Sequence, residues 1–281
     1  MTTMDTRPEA AKGSTAEKRA PKWGPVARGG SYWSLLVAVA PVAALAIGWR
    51  TYQQVFAFQY GLDAHSPDFN KYWLTLALAN MTVLPAAAGA WYVWMWFSGQ
   101  KLPQQISRED ESRRIWNLWL IILSFTVAVF VGGSYCAEQD ASWHQIVTRD
   151  TAFTPSHDVL FYGSFPLMIY LATGSYIYAR TRLPHLYGGK LMAASFALII
   201  GGSVLLLFQV AMNEFGHSFF QAEELFAAPL HWPFVIFAYL LAGTFAIWFG
   251  TVPRLVELAR QEQRMAQTPE TTAAVGDVTH A

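Results

Sequence analysis

Two segments of the chain repeat one arrangement of side chains that can bind a metal ion. Each contains an oxygen donor, a histidine four residues later, a connector, and a second histidine in a Pro-x-His triplet. The first set is Asp140, His144 and His157. The second set is Asn213, His217 and His231. Four of the seven histidines therefore fall within two matching frames, which indicates a shared chemical purpose.

Helix geometry is expected to bring the donors of each set together. Residues four apart lie on one face of a helix, so Asp140 and His144 can chelate the same ion. Proline favours the first helical position, so Pro155 is expected to begin the next helix and to place His157 in its first turn. Asp158 would then stabilise the start of that helix. The second set repeats this geometry.

The donor types restrict the chemistry. One oxygen ligand with two imidazoles suits copper, zinc, iron or nickel, and is unlike the oxygen-only sites of magnesium or calcium. A hydrogen-bond network that ties hairpin ends together is the alternative, and it fits the Asn213 set better because an amide is a weaker ligand than a carboxylate. The single cysteine, Cys136, excludes an intrachain disulfide and a cysteine-ligated iron–sulfur cluster.

The composition is typical of a polytopic membrane protein. Of the 281 residues, 53% are hydrophobic and only 14% are charged, whereas a soluble domain carries about a quarter charged residues. A helix needs about 20 apolar residues to cross the hydrocarbon core. Uncharged stretches near that length occupy residues 31–49, 72–97, 115–137, 159–179, 191–212 and 225–253. The predicted fold class is an all-α transmembrane helical bundle of about six spans.

The distribution of Lys and Arg predicts how this bundle is oriented. Sixteen of the 19 basic residues lie in the two tails and in the loops that follow the second and fourth spans. Both termini are therefore expected to be cytoplasmic, with residues 1–30 and 254–281 as tails and residues 31–253 as the membrane domain. Both ligand sets then lie on the outward side. The net charge is zero, which gives no indication of a nucleic-acid partner.

The ligand frames also resemble those of a known family. The stretches that carry the resemblance are Glu138–His144, Arg149–His157, Asn213–His217 and Glu223–Trp232. They are similar to the C subunit of the copper-dependent particulate methane and ammonia monooxygenases, over roughly residues 30–253. The resemblance implies one copper site at Asp140, His144 and His157, as the candidate active site, and a second at Asn213, His217 and His231. Zinc could substitute for copper in these ligands.

The resemblance further implies an enzyme assembly. Such a chain joins subunits A and B in a trimer of heterotrimers, among the lipids of a bacterial cell membrane or intracytoplasmic membrane. The enzyme inserts one oxygen atom from O2 into methane, a short alkane or ammonia, with electrons from quinol. Phe215, where the family usually has tryptophan, and the stretch Phe219–Ala222 depart from the family pattern. A short-chain hydrocarbon substrate is therefore as compatible with the sequence as methane.

Other interpretations compete with a copper monooxygenase subunit. One is a non-catalytic structural or assembly subunit whose metal ties the hairpins, and another is a haem-binding, quinol-linked membrane anchor with histidines on separate helices. A membrane di-iron desaturase needs HxxHH boxes, and the sequence has none. A transporter would more often place its polar residues at the midplane of broken helices.

Overall fold

The structure, a computed structural model, describes residues 32–102, 105–220 and 232–267 of the chain. Within these ranges the side chains of residues 213–220 and 232–235, and of a few single positions, lie outside the description. Every regular element of the described residues is helical, with no strand among them. The predicted all-α class is confirmed.

The helices follow the order of the predicted spans, but three of the spans are built from more than one segment. In chain order the α-helices are α1 (Tyr32–Tyr60), α2 (Thr75–Gln100), α3 (Arg108–Val129), α4 (Ala137–Trp143), α5 (Pro155–Val159), α6 (Phe165–Arg182), α7 (Pro184–Tyr187), α8 (Ala194–Phe220) and α9 (Trp232–Gln267). Turns of π-helix occupy Asn70–Leu74 before α2, Phe130–Cys136 between α3 and α4, and Leu160–Ser164 between α5 and α6.

The described helices are those of a multi-pass membrane protein. Five helical stretches are long and apolar enough to cross a bilayer: 33–60, 70–100, 108–132, 194–212 and 236–267. The predicted span 159–179 is not among these five. It lies in the helical stretch from α5 to α6, where α6 packs against α2, α3 and α8. Because neighbouring helices surround it, this stretch does not need an apolar surface on every side.

Two helices extend beyond their predicted ends. α1 continues to Tyr60, through residues that were expected to form an outward loop. Its last turns are supported by the ring contact of Phe56 with Tyr72 and by a hydrogen bond from the hydroxyl of Tyr52 to the carbonyl oxygen of Tyr72 at 3.1 Å. α9 continues to Gln267, so residues 254–267 of the predicted C-terminal tail are helical. The predicted N-terminal tail, and residues 268–281, lie outside the described residues.

The Arg-rich segments meet at one end of the bundle. There Glu111 of α3, which is 4% exposed, accepts hydrogen bonds from Arg254 of α9 at 2.6 and 2.8 Å and lies 2.7 Å from Nε2 of His185. At the opposite end, the loops that follow α1 and α4 meet, where Thr148 N donates to Leu62 O at 2.7 Å. The segments predicted to be cytoplasmic and those predicted to face outward therefore lie at opposite ends of the bundle.

α2 and α6 approach each other closely at Gly174. A Cβ atom built on Gly174 would overlap the indole ring of Trp91, whereas one built on Gly201 of α8 would have no atom within 4 Å. The absence of a side chain at Gly174 therefore allows the ring of Trp91 to pack against the backbone of α6.

This contact gives a prediction about packing. Replacing Gly174 with valine is expected to destabilise the protein by about 1–3 kcal/mol, because the indole must move within a packed interface. Gly201→Val is the matched control and is expected to have little effect. The midpoint of thermal unfolding of the purified protein checks this. Equal midpoints for the two variants would contradict the prediction.

Candidate metal centre

The first ligand set lies where two helical stretches are interrupted by π turns. Asp140 is in α4, directly after the π turn Phe130–Cys136, and His144 is the C-terminal cap of α4. Pro155 occupies the start of α5, with Thr154 as the N-cap, and His157 follows in the first turn. The π turn Leu160–Ser164 comes next. Insertions of this kind recur at functional sites because they redirect side chains within a helix.

The two π turns pack against each other. A Cβ atom built on Gly132 would lie 2.8 Å from Cβ of Ser164, which is closer than packed side chains allow. Glycine at this position therefore lets the two backbones approach, and the approach brings the start of α4 next to α5. Ser164 is 1% exposed, so the contact lies inside the bundle.

The start of α5 is held in place by polar side chains of α1 and α2. Gln53 donates to the carbonyl oxygen of Pro155 at 2.8 Å, and Asn80 donates to that of Asp158 at 3.2 Å. Asn80 in turn accepts a hydrogen bond from the indole of Trp49 at 3.2 Å. Because a π turn interrupts the backbone hydrogen bonds of the helix, nearby carbonyls need such donors. These bonds fix the position of His157.

The structure brings Asp140, His144 and His157 together. One ligand atom from each lies within 4.8 Å of the other two. Oδ1 of Asp140 is 3.5 Å from Nε2 of His157 and 3.9 Å from Nδ1 of His144. Two ligands bound at about 2.1 Å to a tetrahedral ion are about 3.4 Å apart. The three residues therefore fit a metal ion after only small movements.

Burial and hydrogen bonding differ between the two imidazoles. The side chain of His157 is 1% exposed, that of Asp140 12% and that of His144 33%. Nδ1 of His157 donates to the carbonyl oxygen of Thr151 at 2.8 Å, so Nε2 is the nitrogen that faces Asp140. Nδ1 of His144 lies 2.7 Å from the carbonyl oxygen of Asp140. Two imidazoles and one carboxylate in this setting suit copper or zinc.

A fourth polar residue, Asp150, lies beside the ligand set, and the sequence did not predict a role for it. Oδ2 of Asp150, in the loop after α4, lies 3.1 Å from Nε2 of His144. Burial raises the pKa of Asp150, but the hydrogen bond from His144 and the nearby charge of His157 outweigh that effect, so the pKa lies below its ordinary value. Asp150 is six residues after His144 in an irregular loop, and no periodic pattern indicated the contact.

Asp158 differs from its expected role at the helix start. It is fully buried in the fourth position of the helix that Pro155 begins. Neither of its carboxylate oxygens has a hydrogen-bond partner among the described residues, and the N-cap position belongs to Thr154. Its carboxylate therefore does not cap the helix.

The second ligand set is only partly within the described residues. Asn213 and His217 lie in α8, but their side chains are outside the description, and His231 lies outside the described residues altogether. This second site remains a prediction from the sequence.

A cavity of about 660 Å³ lies beside α4 and the start of α5. Its walls come from α1, α4, the loop after α4 and the start of α5. The residue that precedes each of the three ligands lines it: Gln139, Trp143 and Ser156. Phe58 contributes an apolar wall and Arg50 a cationic group. The three ligands are not among its lining residues, so the cavity lies beside the ligand-bearing segments and not on the ligand atoms themselves.

The sequence profile of the family of the C subunit of ammonia monooxygenase/methane monooxygenase matches residues 27–262, which is nearly the whole chain. No protein with a curated function matches at a significant level.

Proposed function

The chain belongs to the family of the C subunit of the ammonia and methane monooxygenases, and from this premise we propose that it supplies a copper site to a membrane monooxygenase. The substrate class is methane, a short-chain alkane or ammonia, and O2 is the oxidant. Asp140, His144 and His157 are the proposed ligands. The chain is a membrane subunit of a monooxygenase complex; the copper site and the substrate are the proposal.

One observation carries the assignment of the site. A buried imidazole, a second imidazole and a carboxylate converge within 4.8 Å although His157 is separated from the other two by a loop. Polar groups at membrane depth are costly, and they mark function more often than structure. The donors also match the preference of copper and zinc for imidazole.

The residues around the proposed site have separable tasks. His157 and Asp140 hold the ion from the interior of the bundle, and His144 holds it from the more exposed side. Bound copper supplies one-electron redox chemistry and oxygen activation. Phe58 and Trp143 line the adjacent cavity, where an apolar substrate that has partitioned into the bilayer can collect.

The proposal extends to partners and to a second site. Subunits A and B complete the complex, with three copies of the heterotrimer, and quinol is the electron donor. Asn213, His217 and His231 form the second copper site. Membership of a family of multisubunit monooxygenases supports the assembly with subunits A and B. The two histidines and the amide of the second frame support the second copper site.

A structural metal is the second candidate function. The first ligand set joins α4 to α5 across the intervening loop, which is where an ion would tie the two helices together. In that case the ion would stabilise the protein without taking part in oxidation, and zinc would serve as well as copper.

A structure of the intact complex in lipid, with anomalous scattering measured at the copper and zinc absorption edges, tests the proposal. We expect a copper peak within bonding distance of Asp140, His144 and His157. A zinc peak there would favour the structural metal. No peak in a complex that oxidises its substrate would overturn the assignment. An absorption spectrum without a Soret band would exclude a haem anchor.

A further inference from the structure

The loop between α4 and α5 contacts both imidazoles of the ligand set through two consecutive residues. The carboxylate of Asp150 lies 3.1 Å from Nε2 of His144. The carbonyl oxygen of Thr151 accepts a hydrogen bond from Nδ1 of His157 at 2.8 Å. In each ring, the nitrogen that contacts the loop is not the nitrogen nearest to Asp140. The loop therefore engages the outer nitrogen of each ring. The inner nitrogens lie 3.5 Å (His157) and 3.9 Å (His144) from Oδ1 of Asp140, and that of His144 also lies 2.7 Å from the carbonyl oxygen of Asp140.

This loop segment is itself held by hydrogen bonds. The other carboxylate oxygen of Asp150 accepts a hydrogen bond from the backbone N–H of Thr151 at 2.8 Å. The carbonyl oxygen of Thr151 also accepts bonds from the backbone N–H and the hydroxyl of Thr154, each at 3.2 Å. Asp150 and Thr151 are thus tied to the N-cap of α5, close to His157.

A second set of contacts fixes the same segment to the loop after α1. Arg149 forms a bidentate ion pair with Asp63, in which Nε of Arg149 lies 2.6 Å from Oδ1 of Asp63. Backbone hydrogen bonds run alongside this pair, from Thr148 and Arg149 to the carbonyl oxygen of Leu62 at 2.7 and 3.2 Å and from Ala64 to that of Arg149 at 3.1 Å. The loop after α1 therefore holds the residues directly before Asp150, and the N-cap of α5 holds Thr151 directly after it.

We propose that Asp150 is the positioning residue for His144, and that the segment Asp150–Thr151 sets the orientation of both ligand imidazoles. This inference rests on the proposed copper site. Carboxylates and carbonyls that accept a hydrogen bond from the non-ligating nitrogen of a metal-bound histidine fix its tautomer and ring orientation. Asp150 selects the proton on Nε2 of His144, and so presents Nδ1 to the ion. Thr151 selects the proton on Nδ1 of His157, and so presents Nε2.

A rival arrangement uses the same residues. The carbonyl oxygen of Asp140, 2.7 Å from Nδ1 of His144, could hold the proton on that nitrogen. Nε2 would then be the ligand atom, and Asp150 would bind the ion directly. The proposed arrangement requires the ring of His144 to move off this carbonyl when the ion binds, so that Nδ1 gives up its proton. Asp140, His144 and His157 then supply three ligand atoms that lie within 4.8 Å of one another, without Asp150.

The test compares Asp150→Asn, Asp150→Ala and Asp150→Glu in the intact complex. Asp68→Asn, which alters an exposed carboxylate of the first outward loop, is the matched control. Copper affinity is measured by competition with a chelator. We expect about 10- to 100-fold weaker binding for Asp150→Ala, a smaller loss for Asp150→Asn, partial recovery in Asp150→Glu and no change in the control.

Pulsed electron paramagnetic resonance supplies a readout that a loss of stability alone would not change. The quadrupole coupling of the non-ligating imidazole nitrogen depends on its hydrogen bond, so this coupling is expected to shift in Asp150→Asn and Asp150→Ala. The spectrum of a variant with alanine at Asp140, His144 and His157 is subtracted to isolate the site. Unchanged coupling and unchanged affinity in the Asp150 variants would overturn the inference.

Two further outcomes separate this inference from the proposed function. X-ray absorption that loses one oxygen ligand in Asp150→Ala would show direct ligation, and would overturn the positioning role while leaving the copper site intact. A parent spectrum identical to that of the triple alanine variant would mean that the residues bind no copper, and would remove the proposed function itself.

Discussion

Simultaneous replacement of Asp140, His144 and His157 with alanine is expected to remove copper from the first site and to lower turnover below about one hundredth of the parent value. Loss of a group that only supports a metal ligand costs about 10- to 100-fold in affinity or activity, and here the ligands themselves are removed. The measurement is copper per complex together with substrate oxidation.

The control for this experiment is His65→Ala, because His65 is an exposed histidine of the loop that follows α1. It should retain full copper content and activity. A triple variant that assembles, loses its metal and still oxidises its substrate would leave only the structural role for the site. Unchanged copper and activity would refute the assignment altogether.

The second large effect is expected at the opposite end of the bundle. Glu111 is nearly buried and receives Arg254 and His185 at once, so Glu111→Ala leaves the guanidinium of Arg254 without its main partner. Because the side chain of Arg254 is 29% exposed and keeps its contact with Glu257, the expected cost is that of lost charge-assisted hydrogen bonds, about 1.5–3 kcal/mol. The variant should therefore lower the midpoint of thermal unfolding and loosen the contact of α9 with α3.

A matched control exists on the same arginine. Glu257 also pairs with Arg254, at 2.7 Å, but its side chain is 55% exposed, and exposed pairs contribute only about 0–1 kcal/mol. Glu257→Ala should therefore have a small effect. Similar midpoints for the two variants would show that burial of Glu111 does not strengthen this cluster.

Local spacing was sufficient to predict part of the site. The i, i+4 relation of Asp140 and His144 and the helix-starting preference of Pro155 both act within one or two turns, and the structure has the three ligand atoms in one cluster. The membrane character and the family followed from composition and from long motifs. The ligand spacing, the helix start and the apolar stretches each depend on residues close together in the chain, so they can be predicted without knowing the fold.

The parts that depend on distant contacts were not predictable in this way. The ion pair of Arg149 with Asp63 and the hydrogen bond from Gln53 to Pro155 join residues that are far apart in the chain. α1 extends beyond its apolar stretch because aromatic packing supports its last turns. The π turns left no pattern in hydrophobic periodicity. Asp150 lies in a loop, where side-chain direction follows from the fold and not from spacing.

The π turn Phe130–Cys136 changes which side of the helix each later residue occupies. One additional residue in a helical turn corresponds to about 100° of rotation, so the residues of α4 are out of phase with those of α3. A helical wheel drawn continuously from Arg108 to Trp143 would assign Asp140 to the wrong sector. Chimeras that exchange this span with that of another protein must therefore preserve the number of residues between Val129 and Asp140, or the carboxylate will be turned away from His157.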